Sequence, residues 1–192
     1  MTEELRRLSQ TDALTGLLNR RALEDAVEEL LATPTAGSRG FAIIMLDIDY
    51  FKSINDRYGH AVGDMVLQRT AQILGPCLRV ADLFARYGGE EFIVVMGDVT
   101  EASARSTAER LRETLAQAIV SDEHGLKVTA SFGVDWQAQC VFENWEELVV
   151  VADNRLYQAK RDGRNLVCSS DNASGQTAIS ASKRGQSGAS AA

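Results

Sequence analysis

The stretch that most constrains this chain runs from Leu83 to Met96, where Leu83-Phe84-Ala85 and Phe92-Ile93-Val94-Val95-Met96 flank Arg86-Tyr87-Gly88-Gly89-Glu90-Glu91. A glycine pair between two apolar runs predicts a tight β-hairpin, because glycine reaches positive φ without a Cβ clash. The same freedom lets the backbone N–H groups of Gly88 and Gly89 approach a ligand closely. If the second strand resumes at Glu90, alternation sends Glu90 and Glu91 to opposite sides and gives them separate roles. The plain alternative is a solvated turn carrying surface charge.

A second strand signal precedes the hairpin. Phe41-Ala42-Ile43-Ile44-Met45-Leu46 is a continuous apolar run of the kind covered on both faces, and it ends in Asp47-Ile48-Asp49. Alternation puts Asp47 and Asp49 on one side and Ile48 on the other. Alone, such carboxylates read as caps. Next to a glycine hairpin they read as ligands. Residues 50–64 are dense in hydrogen-bonding groups between glycines, with Asn55 and Asp64 as turn and N-cap candidates, and a helix from Met65 to Leu74 stops at Gly75-Pro76.

Elsewhere the periodicity predicts a helix with Leu17, Leu18, Ala22, Leu23, Ala26, Val27 and Leu30 inward, ending near Thr33-Pro34, with Asp12 and Asn19 as capping and loop-fixing residues. Further helices are expected from about Glu101 to Ala118 and from Trp145 to about Arg161, with a strand at 127–134 between them. Gly163 is a candidate helix stop. Strand and helix signals alternate, so the expected fold is α/β or α+β, with a mixed sheet of about five strands, flanking helices and a central β-hairpin.

With 192 residues and 45% hydrophobic content, the chain can bury one full core. The expected partition is a linker helix over 1–10, one domain over 11–168, and a disordered Ser/Ala/Gly-rich tail over 169–192. No run is long enough to span a bilayer and the N-terminus lacks an apolar h-region, so a cytoplasmic protein without a membrane segment is expected. Three scattered cysteines (Cys77, Cys140, Cys168) and two histidines (His60, His124) suit neither a disulfide framework nor a zinc site, so any metal should be held by oxygen. A formal net charge of −7 argues against a nucleic-acid polymer as partner. A bound polyphosphate would need a divalent cation and a few placed lysines or arginines.

These motifs, taken together, resemble the GGDEF family, the diguanylate cyclases, in the Gly-Gly-Glu-Glu-Phe form of the signature. The resemblance covers about Asp12 to Asn165: Asp12-Ala13-Leu14-Thr15-Gly16-Leu17-Leu18-Asn19-Arg20-Arg21, the run from Asp47 through Phe51-Lys52 and Asn55 to Asp64, Ser131-Phe132-Gly133-Val134, and Ala152-Asp153 through Lys160 to Arg164-Asn165. It implies a palm-like, ferredoxin-related domain. It implies also that two GTP condense into cyclic di-GMP and two pyrophosphates. Asp47, Glu90 and the Ile48 carbonyl would hold Mg²⁺, with Mn²⁺ an acceptable substitute and Asp49 a weaker candidate.

By the same resemblance Glu91 assists deprotonation of the 3′-hydroxyl. Phe51, Lys52, Lys160, Arg164 and the Gly88 and Gly89 amides face the triphosphate, and Asn55 and Asp64 read guanine. Arg79-Val80-Ala81-Asp82, on its face a local ion pair, occupies the place of the family's product-inhibition site, which makes cyclic di-GMP both product and inhibitor. One domain carries one nucleotide site and the product needs two, so a homodimer, at least a transient one, is expected. The alternative is a catalytically idle domain that binds cyclic di-GMP as an effector.

Overall fold

The computed structural model describes residues 10–32, 39–121, 125–138 and 145–170. All but the last residue of the expected linker helix, all but the first two of the expected tail, His124 and Cys140 lie outside the described residues. The elements run α1 (Arg20–Ala32), β1 (Phe41–Ile48), α2 (Phe51–Tyr58), α3 (His60–Leu74), a 3-10 turn (Gly75–Cys77), β2 (Leu83–Gly88), β3 (Glu91–Gly97), α4 (Glu101–Gln117), β4 (Ala130–Gln137), α5 (Glu146–Arg161) and β5 (Val167–Cys168). The strands form one mixed sheet in the order β2-β3-β1-β4-β5. Neighbours are antiparallel except β4 and β5. This is the palm-like α+β arrangement expected, with the hairpin supplying one edge.

The apolar run of β1 has a direct physical reason. Every residue from Phe41 to Ile48 is buried, because the strand lies mid-sheet with helices on both faces. Ala42, Ile44, Leu46 and Ile48 pack with residues of α2, α3 and α4, including Ile54, Leu67 and Leu111. Phe41, Ile43 and Met45 pack instead with Leu23 and Val27 of α1 and Val149, Ala152 and Leu156 of α5. The closest approach is between α5 and β4: a Cβ on Gly133 would overlap the backbone of Ala152 and Leu156. The helix backbone thus rests on the strand, and its C-terminal turn is brought to the end of β1.

Two local readings are corrected by tertiary structure. The helix expected from Leu17 begins instead at Arg20, because the Asn19 side chain accepts the Ala22 N–H (2.9 Å) as an N-cap. Leu18 stays extended and bridges Ala85, donating to the Phe84 carbonyl (3.3 Å) and accepting from the Arg86 N–H (3.0 Å). The turn-rich segment after Asp49 is two helices broken at Gly59 (φ 84°). Asp64 therefore lies inside α3, not at its N-cap.

Candidate active site

The site forms where β1 ends and β3 begins. Asp47 is the direct antiparallel partner of Glu91, so their Cα atoms lie ~4.5–5.5 Å apart and their side chains share a face, the one covered by α5. The strand resumes at Glu91, not Glu90, and the turn consists of Gly89 (φ 51°) and Glu90. The alternation that would send the two glutamates to opposite sides therefore does not operate. The Glu90 carbonyl accepts the Ile48 N–H at 3.4 Å, which fastens the turn to the end of β1. Arg86 holds it from the other side, donating from Nε and Nη2 to the Gly89 carbonyl (3.0 and 2.8 Å) and from Nη1 to Asp12 (3.2 Å).

Charge at this end is concentrated and partly buried. Asp47 is only 6% exposed. Burial pushes its carboxyl from 3.8 up to about 6, and Glu90 and Glu91 push the same way, against the opposing pull of the Lys160 ammonium. Lys160, in the last turn of α5, lies 2.8 Å from the Asp47 carboxylate. Burial also raises Glu91, with Asp153 and Glu90 adding to the shift and Lys160 opposing it. Glu91 and Asp153 line a cleft of about 320 Å³ with Met45, Tyr87, Val149 and Val150.

Asp49, two residues on, is equally buried but differently placed. Its carboxylate accepts from Thr129 Oγ1 (2.6 Å), Ser131 Oγ (2.7 Å) and the Asn165 N–H (3.0 Å), and its own N–H reaches the Thr129 carbonyl (2.8 Å). Those bonds tie β1 to β4 and to the loop after α5. Its oxygens are already occupied by protein donors, so Asp49 reads as an anchor.

The remaining candidates surround this end. Phe51 and Lys52 open α2, with the Phe51 ring buried and Lys52 exposed. No side chain caps the α2 N-terminus, so its first N–H groups have no partner from the cap residue or from within the helix. Asn55 of α2 packs across the α2–α3 junction against Gly63, so closely that a Cβ there would overlap its amide, and Asp64 is the next residue along α3. Arg164 lies in the loop where the Arg164 N–H closes α5 onto the Ala159 carbonyl (3.0 Å).

Arg79 and Asp82 lie elsewhere, before the start of β2. Six residues of strand separate them from the hairpin turn, roughly 20 Å at strand rise. The expected ion pair takes another form. The Asp82 carboxylate accepts the Arg79 backbone N–H (2.9 Å) and the Arg79 carbonyl accepts the Asp82 N–H (3.0 Å), leaving the exposed Arg79 side chain to point its guanidinium elsewhere. Two residues that sequence reasoning gave no part in the site belong to its surroundings. Arg86 braces the turn and Asp153 faces Glu91. Both stand inside segments quoted above as motifs, and that position was the available signal.

A family model described as "Diguanylate cyclase, GGDEF domain" matches residues 9–166. Diguanylate cyclase A of Treponema denticola is 39% identical over 173 residues, which is 88% of this chain and 46% of that protein. Response regulator PleD of Caulobacter vibrioides is 42% identical over 163 residues, 83% of this chain and 36% of that protein. The chain therefore spans less than half the length of these curated relatives. Among solved structures, the coiled coil and GGDEF domain of DgcB from Caulobacter crescentus, in complex with c-di-GMP, matches with TM-score 0.79 at 30% identity, covering 87% of this chain and 88% of that one. With its mixed sheet, its Gly-Gly-Glu-Glu-Phe hairpin and these matches, the chain belongs to the GGDEF family of diguanylate cyclase domains.

Proposed function

We propose that this chain condenses two GTP molecules into cyclic di-GMP and two pyrophosphates, working as a two-fold homodimer in the cytoplasm with residues 11–168 as the catalytic unit. The observation that carries this reading is the meeting of Asp47, Glu90 and Glu91 with Lys160 at one end of the sheet. Nothing in the packing requires three carboxylates there, and both Asp47 and Glu91 are raised, first by burial and further by neighbouring carboxylates.

The donor set fits Mg²⁺, or Mn²⁺ in its place: hard carboxylate oxygens of Asp47 and Glu90 beside the Ile48 backbone. Among the described residues, no group of three or more His, Cys, Asp or Glu is arranged to hold a metal ion, so the remaining ligands fall to phosphate and water. When bound, the ion neutralises charge developing on the α-phosphate and the leaving pyrophosphate. The protein supplies the rest. Asn55 and Asp64 match the donors and acceptors of a guanine edge. Lys52, Arg164 and the uncapped N-terminus of α2, with the Gly88 and Gly89 amides, receive the triphosphate. Lys160, which neutralises Asp47 in the nucleotide-free protein, is close enough to turn to the phosphates.

The 3′-hydroxyl of each nucleotide attacks the α-phosphorus of the other. A new O3′–P bond forms, the bond to the β-phosphate oxygen breaks, and pyrophosphate leaves. Glu91 accepts the hydroxyl proton. A raised pKa suits that task, since a carboxylate shifted upward by burial is the stronger base. Each site holds one of the two nucleotides, so the two must meet across a dimer, and specific activity should rise with protein concentration in the dilute range. Cyclic di-GMP would then bind at Arg79 and Asp82, the guanidinium gripping a guanine O6/N7 edge and the carboxylate accepting from N1 and N2.

Incubation with GTP and Mg²⁺ followed by mass spectrometry tests the reading. Cyclic di-GMP with pyrophosphate supports it. Binding of cyclic di-GMP without turnover would point to the idle effector, and a mononucleotide cyclic product would overturn the dimeric reaction.

A further inference from the structure

Tyr50 stands in the hinge between the carboxylate end of β1 and α2, and its conformation is unusual for its type. Its backbone is left-handed (φ 58°, ψ 27°), a region that aromatic residues rarely enter and that glycine or asparagine occupies at lower cost. Tyr50 is 63% exposed. Neither local propensity nor core packing therefore explains a tyrosine here. The Arg164 guanidinium lies over the ring, its carbon 4.6 Å from the ring centroid.

The geometry around that contact is fixed on both sides. Asp49, next to Tyr50, accepts the N–H of Asn165, next to Arg164, at 3.0 Å. Lys160, on the last turn before Arg164, pairs with Asp47 at 2.8 Å. Arg164 (φ 63°) and Asn165 (φ 46°) are themselves left-handed. Two left-handed segments thus face each other, joined by an ion pair, a part-buried hydrogen bond and a cation–π contact. Strain of this sort persists only where the surroundings hold it, and it clusters at ligand sites.

Stacking also has a chemical consequence that an acidic partner would not have. A carboxylate would occupy the N–H fork of the guanidinium, whereas an aromatic face supports its plane and leaves all the donors at its edge available. The N-terminus of α2, which begins at the residue after Tyr50, carries no side-chain cap. Its amides follow directly on the residue whose ring the guanidinium covers.

We propose that Tyr50 is a positioning residue for nucleotide binding: its ring holds the Arg164 guanidinium in place with its donors directed to the triphosphate. The inference rests on the reading of Arg164 as a phosphate ligand given above. It deepens that reading by assigning a part to a side chain with no chemistry of its own.

The test uses Tyr50→Gly, Tyr50→Phe, Arg164→Ala and the Tyr50→Gly/Arg164→Ala double variant in the full chain. Binding of GTP and of guanosine is measured by calorimetry in Mg²⁺ buffer, and thermal stability alongside. Glycine relieves the left-handed backbone and should keep or raise stability while removing the ring. At the strength of an exposed to half-desolvated cation–π contact, the dissociation constant for GTP should rise roughly three- to thirtyfold. Guanosine binding should be unchanged, Tyr50→Phe should match the wild type, and Tyr50→Gly should add nothing in the Arg164→Ala background. A general structural lesion would weaken both ligands alike, and that result overturns the proposal. So does wild-type GTP affinity in Tyr50→Gly, or a full additive loss in the double variant. If Arg164→Ala leaves GTP binding intact, the phosphate reading of Arg164 falls and the inference with it. If Arg164→Ala weakens binding and Tyr50→Gly does not, only the inference falls.

Discussion

The two ends of the sheet carry similar residue types in opposite electrostatic states. At the hairpin end, Asp47 and Glu91 are drawn out of water beside a third carboxylate, and both are pushed above the ordinary range, chiefly by burial. At the other end, Asp98 is held below that range by hydrogen bonds from the Arg39 side chain and backbone. There Asp82 accepts a hydrogen bond from backbone three residues away. Charges at the second end are met by protein donors beside them, Asp98 by Arg39 and Asp82 by the Arg79 N–H. Those at the first end are costly to the nucleotide-free protein, a cost that a bound cation would relieve.

The comparison breaks most visibly at Glu91. Glu91→Gln keeps the shape and removes the proton acceptor. Turnover should fall roughly 10²–10⁴-fold, with the melting temperature no lower than that of the wild type, since an elevated carboxylate is being removed. Retained turnover would show that the proton goes elsewhere, to water or phosphate. The measurement is pyrophosphate release at saturating GTP, with product identity checked by mass spectrometry.

The same contrast divides two aspartates only two residues apart. Asp49 accepts three hydrogen bonds from protein donors, two of them from Thr129 and Ser131 on and before β4. Asp49→Ala would leave those buried donors unpaired and untie the loop carrying Arg164. A loss of about 3 kcal/mol of unfolding free energy is expected in urea denaturation. Asp47→Asn should act the other way. A carboxyl at 3.8 when unfolded and about 6 when folded binds more protons in the native state across that window. Stability therefore falls as pH rises from about 4 to about 6, and the cost persists above it. The neutral asparagine escapes this cost and should stabilise the metal-free protein by about 1–3 kcal/mol at pH 8, with the advantage fading below pH 4. A destabilised Asp47→Asn at pH 8 would mean that the Lys160 pair outweighs burial.

How much of this could be read in the chain follows from how local each cause is. The hairpin, the doubly covered β1 and the carboxylates at its end come from near-neighbour patterns, a glycine pair and an apolar run. The difference between Asp47, paired with Lys160, and Asp49, an anchor, does not, since it depends on Lys160, Thr129, Ser131 and Asn165, remote in sequence and near only when folded. The same holds for Leu18, whose apolar spacing suggested helix until β2 offered it a bridge, and for Glu90, whose direction turned on whether the strand resumed one residue earlier. The left-handed Tyr50 gave no sequence signal, because tyrosine is the residue that propensity would place last at such a position.

The smallest effect belongs to the far end of the sheet. Arg79 has its backbone fixed by Asp82 and its side chain exposed, so Arg79→Ala removes a ligand contact without opening any packed interface. Unfolding free energy should stay within the error of denaturant titration. The concentration of cyclic di-GMP needed for half-inhibition should rise roughly 5- to 150-fold, the range for losing one bidentate grip on a guanine edge. Asp82→Ala should weaken inhibition as well and also loosen the turn entering β2, because its carboxylate accepts the Arg79 N–H. If Arg79→Ala leaves inhibition unchanged while Asp82→Ala abolishes it, the turn rather than the guanidinium carries product recognition. The far end would then owe its role to shape, and the contrast between a costly, ligand-seeking end and a relaxed, satisfied one would be sharper still.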